Sequence, residues 1–290
     1  MHIIAMSFGI LLTRTEWISM GINYQIRDGI AHFVIDNGTM NVITPQIHKE
    51  FFHRLKEFEI DPEARVGLIY GAGGRSFSAG DDIKNRYTPA RTRQQELEAV
   101  LFLHQKEGDS PARPGWEEDV YRHRRFKPIV AAVSGYCLGA GFAYMLLHSD
   151  IRVADASAKF GLPEVNFGAA GMSATLRLAR QIPPALAAYI ALTGEFIGAE
   201  QAHRMSLVNE VVEPAALLDR AEAVARLIMR NPPTAVRVEM EALAIGEEMS
   251  RHDAVHYGQN LYRLHRLSYE GPGSKEGFFT RRGGSDEHRI

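Results

Sequence analysis

Two apolar runs of strand length, residues 66–70 and 128–133, each lead into a glycine-bearing turn. Phe77-Ser-Ala-Gly-Asp-Asp-Ile-Lys84 follows the first, and Gly135-Tyr-Cys-Leu-Gly-Ala-Gly141 follows the second. A short apolar run bounded by glycine reads as a buried strand, and glycine lets the backbone turn sharply where it ends. Each turn can therefore present backbone N–H groups at the end of a strand, and two turns can aim them at one developing oxyanion. Glu164, in Phe160-Gly-Leu-Pro-Glu-Val165, is the accompanying candidate for a proton carrier.

Residues 30–35 form another strand candidate. Between it and 66–70 the residues Ile47, Phe51, Phe52, Leu55 and Phe58 recur on one helical face, so this stretch reads as a β-α-β unit. Further strands are expected at 151–154 and 208–212, and helices near 142–147, 173–180, 184–192 and 199–205. From Pro214 onward only helices are expected, at 217–229, 234–249 and 253–267. The chain is thus an α/β core followed by an α tail. A polar helix over 91–106, ended by Gly108-Asp-Ser-Pro-Ala-Arg-Pro-Gly115, reads as a surface insertion.

Composition excludes several functions. The 290 residues are 45% hydrophobic and 23% charged, enough for a substantial core, and the net charge of −2 gives no general attraction to nucleic acid or an anionic membrane. Cys137 is the only cysteine, which rules out an intrachain disulfide and a cysteine-based zinc site and fits a reducing, cytoplasmic setting. The apolar stretch 3–12 lacks a basic flank and a small-residue cleavage site, so residues 1–20 read as an N-terminal extension. No run reaches the roughly 18 apolar residues of a membrane span. Gly71-Ala-Gly-Gly74 lacks the Gly-Lys-Ser/Thr ending of a phosphate loop, and Gly139-Ala-Gly141 lacks the third glycine of a dinucleotide fingerprint. The 12 histidines contain no His-Glu-x-x-His, and Ser173 lacks the second glycine of a nucleophile elbow, so no metal site or serine nucleophile is expected. The basic run Arg122-His-Arg-Arg-Phe-Lys127 reads as a solvated helix face.

Six segments, taken in order, resemble the crotonase, or enoyl-CoA hydratase/isomerase, superfamily over about residues 22–282. They are the stretch from Gly71 to Lys84, the stretch from Lys127 to Gly141, Asp150-Ile-Arg-Val-Ala154, Phe160-Gly-Leu-Pro-Glu164, Leu192-Thr-Gly194 and Leu207-Val-Asn-Glu-Val211. The resemblance implies a spiral of β-β-α turns over 21–213 and a helical trimerisation region over 214–290, assembled as trimers or dimers of trimers. It also implies an acyl-CoA thioester as substrate, with coenzyme A part of that substrate and no further cofactor. Carried over, the oxyanion hole is the N–H of Asp81 with that of Ala140, Gly141 being the alternative in the second turn, and Glu164 is the catalytic acid–base. Arg75, Ser78, Ala79, Gly80, Ile83 and Lys84 fall where relatives bind CoA, and Lys275, Phe278 and Arg281 lie in a terminal segment resembling the one that reaches CoA.

The chain also departs from the pattern. Typical hydratases carry a first glutamate where this chain has Ala143, with Tyr144 next. The stretch between Gly141 and Asp150 is one residue longer than usual, and Gly168-Ala-Ala-Gly171 is one shorter. One carboxylate suits hydration or double-bond isomerisation of an enoyl-CoA. It also suits a 4-hydroxycinnamoyl-CoA hydratase-lyase, whose local string Phe160-Gly-Leu-Pro-Glu-Val-Asn-Phe-Gly168 resembles. A non-catalytic CoA-binding protein, and a secondary RNA-binding role that the charge does not encourage, complete the alternatives. Tyr144, Tyr257 and Tyr262 read as packing residues, and a Glu164 carboxyl beside an apolar acyl chain is expected to have a raised pKa.

Overall fold

The computed structural model describes residues 21–84, 92–94, 97 and 115–268. The first strands are β1 (Gly21–Arg27) and β2 (Ile30–Asp36), joined by Asp28 and Gly29, both with positive φ. That two-residue turn matches the right-handed twist of the paired strands, so β1 and β2 form a hairpin in register from Gly21↔Asp36 to Arg27↔Ile30.

Helix α1 (Pro45–Ile60) follows, with the Thr44 hydroxyl accepting the Ile47 N–H at 3.2 Å and proline at its first position. The chain then alternates between two sheets. β3 (Val66–Gly71), β5 (Ile129–Val133) and β7 (Ile151–Asp155) enter the larger one, and β4 (Ser76–Ser78), β6 (Tyr136–Leu138) and β8 (Lys159–Gly161) enter the smaller. Helix α2 (Trp116–Arg122) precedes β5, and α3 (Ala140–His148) connects β6 to β7. After β8 come a 3-10 turn (Pro163–Phe167), α4 (Met172–Gln181), α5 (Pro184–Thr193), β9 (Ile197–Gly198), α6 (Ala199–Arg204) and β10 (Glu210–Val212). The sheet orders are β1-β2-β3-β5-β7-β10 and β4-β6-β8-β9. Pairing is parallel except in the β1–β2 hairpin and between β8 and β9. Each pass thus repeats strand, strand, helix, and stacks one register step beside the last.

The large sheet is covered on both faces, which is why its parallel strands are nearly continuous apolar runs. Phe33, Ile35, Ile69, Ala131 and Val133 face α1 and α3, packing with Phe51, Leu55, Phe58 and Phe142. Their alternating neighbours Ile30, Leu68, Val130, Ala132 and Val153 face Leu217, Ala221, Val224 and Ala225 of α7 (Leu217–Met229). Helices α8 (Pro233–Gly246) and α9 (Arg251–Ser268) complete the described chain.

The basic run 122–127 differs from the expected solvated helix face. Only Arg122 lies in a helix, and of the residues after it Arg125 and Lys127 are tied inward while Arg124 stays exposed. Arg125 makes a two-pronged ion pair with Asp150 at 2.7 and 2.9 Å, Lys127 Nζ donates to the carbonyls of Phe58 and Asp61, and Arg124 pairs with Glu248 at 2.8 Å. Six of the helices expected with bounds and all five expected strands fall within two residues of their places, whereas the helix expected at 234–249 ends at Gly246. The expected 91–106 helix falls almost wholly outside the described residues.

Candidate active site

The two glycine turns meet. Gly80 has φ +91°, and a β-carbon on it would stand 2.9 Å from the Leu138 carbonyl oxygen and 3.3 Å from the Ala140 nitrogen. The first turn therefore lies directly on the second, and only glycine permits both the conformation and the approach. The first turn is held from below by residues 40–43. Ala79 N–H donates to Met40 O at 2.9 Å, and Gly80 O accepts from Ile43 N–H at 2.8 Å. Ser78 is fully buried, its hydroxyl accepting the Gly80 N–H at 3.1 Å.

The second turn ends at Gly139 (φ +53°), which precedes the first residue of α3, Ala140. No side chain caps this helix, so the helix supplies no acceptor for its leading amides, and the first of them, at Ala140, adjoins Gly80. Gly141 is buried in the helix against Ser78. The structure thus brings together the amide-bearing residues Asp81 and Ala140, on adjoining turns, with a helix N-terminus behind them.

Glu164 enters from a third element. It is in the first turn of the 3-10 segment after β8, and its Oε1 lies 3.1 Å from where a Gly139 β-carbon would be. Its Oε2 is buried and has no hydrogen-bond partner among the described residues. Burial raises the Glu164 pKa above its ordinary 4.5; the hydrogen bond from its own backbone opposes this, and the charge of Asp81 adds to it. A carboxyl group whose pKa is raised in this way is a stronger proton acceptor when ionised than an ordinary carboxylate.

Asp81 contributes a side chain as well as an amide. Its Oδ1 is 3.3 Å from Nε2 of His48, and Nδ1 of His48 is 2.9 Å from the Tyr144 hydroxyl. His48 and Tyr144 are buried on facing sides of α1 and α3, and Tyr144 stacks on Phe51 with centroids 4.5 Å apart. Packing was the expected role of Tyr144, and the hydrogen bond to His48 adds to it. His48 carried no signal in the sequence, because it sits on the apolar face of α1 beside Ile47. Tyr257 donates to Glu241, and Tyr262 is exposed.

Ala143, at the place of the first glutamate of typical hydratases, is buried on α3. Of the residues expected at CoA, Arg75, Ile83 and Lys84 are exposed around the first turn, Ala79 and Gly80 form it, and Lys275, Phe278 and Arg281 lie outside the described residues. His48, Asp81 and Glu117 bring ligand atoms within 4.8 Å of one another. An apolar groove of about 280 Å³ between Val66, Pro128, Met229 and Val236 lies at the strands' starting ends, away from the glycine turns that follow their far ends.

Fold and site together define a crotonase-like α/β protein with a helical C-terminal region. A family model described as Enoyl-CoA hydratase/isomerase matches residues 25–266, and the chain belongs to that family of enzymes. It is 33% identical over 261 residues to the (E)-benzylidenesuccinyl-CoA hydratase of Thauera aromatica, covering 89% of this chain and 94% of that protein. It is also 33% identical over 210 residues to a short-chain-enoyl-CoA hydratase of Clostridium acetobutylicum, covering 71% and 74% of the two chains. Among solved structures, an enoyl-CoA hydratase from Bacillus anthracis superposes with a TM-score of 0.76 at 25% identity, over 90% of this chain and 96% of that one.

Proposed function

We propose that the protein adds water across the double bond of a 2-enoyl-CoA thioester, with Glu164 as its acid–base group and the amides of Asp81 and Ala140 binding the thioester oxygen. The observation that carries this reading is the Glu164 carboxyl lying against Gly139, at the junction of the two turns, with a buried oxygen that has no partner among the described residues. Relatives named as hydratases support the same direction of chemistry.

Glu164 takes a proton from water as the water oxygen bonds to the β-carbon, and the π electrons move to the thioester oxygen. The amides stabilise the resulting enolate. The proton then passes from Glu164 to the α-carbon, restoring the carboxylate. Removing one such amide typically costs about 10²–10³ in rate. Exposed Arg75 and Lys84, at the mouth of the first turn, are placed to meet CoA phosphates, and binding through them weakens with salt. Exposed Phe167, Leu176 and Leu192, on the 3-10 turn, α4 and α5, support assembly with further copies of the chain, read here as a homotrimer or dimer of trimers, and the single cysteine suits a cytoplasmic setting.

The test is turnover of crotonyl-CoA, a 3-enoyl-CoA and feruloyl-CoA by the purified protein and by Glu164→Gln. Hydration of a 2-enoyl-CoA that Glu164→Gln abolishes supports the reading. Turnover confined to the 3-enoyl-CoA replaces it with isomerisation, cleavage of feruloyl-CoA replaces it with a hydratase-lyase, and tight CoA binding without turnover on all three replaces it with a binding protein.

A further inference from the structure

We propose that Asn41 aims the Asp81 amide: its buried carboxamide fixes the 37–43 loop against the 72–76 turn, and that loop's Ile43 N–H holds the far end of the Gly80–Asp81 peptide group. This deepens the hydratase reading and rests on its use of the Asp81 amide to bind the thioester oxygen.

Asn41 is fully buried, and its side chain bonds only to main chain. Nδ2 donates to the carbonyls of Ala72 at 3.1 Å and Ser76 at 2.7 Å, and Oδ1 accepts the Asn37 N–H at 3.1 Å. These partners fix which atom is oxygen, because a flipped amide would set its oxygen against two carbonyls and its NH₂ against an N–H. The backbone of Asn41 is left-handed, with φ +48°, a conformation that asparagine tolerates better than most residues with a side chain. Gly71 leaves the room, since a β-carbon there would stand 2.7 Å from Asn41 Nδ2. One side chain thus joins both ends of its own loop to a turn more than thirty positions away.

The residues on either side of Asn41 carry the first glycine turn. Met40 O accepts the Ala79 N–H at 2.9 Å, Ile43 N–H donates to Gly80 O at 2.8 Å, and Ile43 O accepts the Asp82 N–H at 2.9 Å. The Gly80 carbonyl and the Asp81 N–H belong to one planar trans peptide group, so they point in opposite directions. Holding the carbonyl toward Ile43 therefore turns the N–H away from the loop, and a hydrogen bond accepted at the carbonyl strengthens that N–H as a donor. Where Ile43 stands is set by the loop, and the loop is tied down by Asn41. Asn41 is a positioning residue that acts through Ile43.

The test reads the thioester carbonyl itself. Butyryl-CoA has no double bond to hydrate, and with carbon-13 at its carbonyl the infrared band of the bound thioester moves to lower wavenumber as the amides pull on the oxygen. Wild type is expected to shift this band. Asn41→Gly, which keeps the left-handed backbone without strain, is expected to lose about half of the shift, the Ala140 amide keeping the rest. In crotonyl-CoA hydration the same variant is expected to lower kcat about 30-fold, part of the roughly 10²–10³ that a whole amide supplies. KM is expected to change less than about threefold, because the interaction strengthens in the transition state. A variant with the wild-type band and kcat, or with a lowered kcat and an unmoved band, overturns the proposal; so does a lowered melting temperature as the only change. A wild type that leaves the band unshifted removes the Asp81 amide from the oxyanion role, and the proposal falls with it. A wild type that shifts the band but does not hydrate sinks the hydratase reading alone, and the band then decides the role of Asn41. Thermal melts identify a variant that fails to fold; Asn41→Asp, which keeps the size of the side chain and the acceptor for Asn37 but not both donors, is expected to lose the same part of the shift and carries the comparison in that case.

Discussion

The Glu164 carboxylate rests on Gly139, its Oε1 3.1 Å from the point a β-carbon would occupy. The contact joins the proposed proton carrier to the residue that precedes α3, so one glycine serves both the carboxylate and the helix amide beside it. A methyl group at 139 meets that oxygen while also demanding a left-handed conformation of a residue with a side chain. Gly139→Ala is therefore expected to lower turnover about 10²-fold, by moving amide and carboxylate apart, and to cost about 1–3 kcal/mol of stability. Steady-state kinetics with a thermal melt checks both; wild-type turnover in the variant would show that the contact does not set the geometry.

At Glu164 the proposed function costs stability. Its folded pKa is raised mainly by burial. Relative to the unfolded chain, its contribution is most favourable below the ordinary carboxylate value of 4.5 and is lost as pH rises through the raised folded value. At neutral pH the ionised group thus opposes folding, and Glu164→Gln, which removes the charge, is expected to be more stable than wild type while inactive. Urea unfolding at pH 7 and pH 4.5 checks this. The gain is expected at pH 7 and diminished at pH 4.5. The activity profile should show an acid limb above the usual carboxylate range, because the ionised form takes the proton from water.

What the sequence reveals follows from which forces are local. β2, β3, β5 and β7 are legible because strands buried on both faces must be continuously apolar. The strands of the small sheet are not: Ser76–Ser78, Tyr136–Leu138 and Lys159–Gly161 are three residues each, and their identity comes from pairing with one another across more than twenty positions. β1 was legible in principle, since Asp28-Gly29 between two alternating runs is a hairpin signal. At the site, Glu164, Asp81 and Ala140 stand in local motifs. The His48–Tyr144 contact spans 96 positions, and a lone histidine on an apolar helix face does not announce its partner.

The buried histidines set the acid limit of the fold. His148 is fully buried, with Nε2 donating to the Val120 carbonyl at 2.9 Å, and burial together with the charge of Arg125 lowers its pKa well below 6.5. The unfolded chain binds a proton there that the folded chain refuses, so the stability present above 6.5 is lost as pH falls from 6.5 toward the depressed folded value. His32 and His123 are shifted the same way, chiefly by burial. Each such group contributes a slope of up to about 1.4 kcal/mol per pH unit below its unfolded pKa. Unfolding free energies between pH 7.5 and 5 should fall with decreasing pH, against the opposite trend from Glu164, and His148→Gln should flatten the slope. A slope that His148→Gln leaves unchanged would mean that the His148 imidazole does not carry it.

The exposed apolar face beside the site gives the last prediction. Phe167, on the 3-10 turn that carries Glu164, is 73% exposed, and Leu176 on α4 and Leu192 on α5 are 73% and 75% exposed. These elements pack on one another, and side chains of this size left in water on neighbouring elements mark a surface that another chain covers. If a second copy covers it, a charge placed there must be desolvated on assembly, at a cost that opposes association. Leu192→Glu is expected to lower the assembled mass of the protein toward that of a monomer in sedimentation or light scattering, and Phe167→Glu to do the same while also lowering turnover, because its turn positions Glu164. A Leu192→Glu variant that sediments as the wild type does would place any interface elsewhere and remove the link between assembly and the turn that carries Glu164.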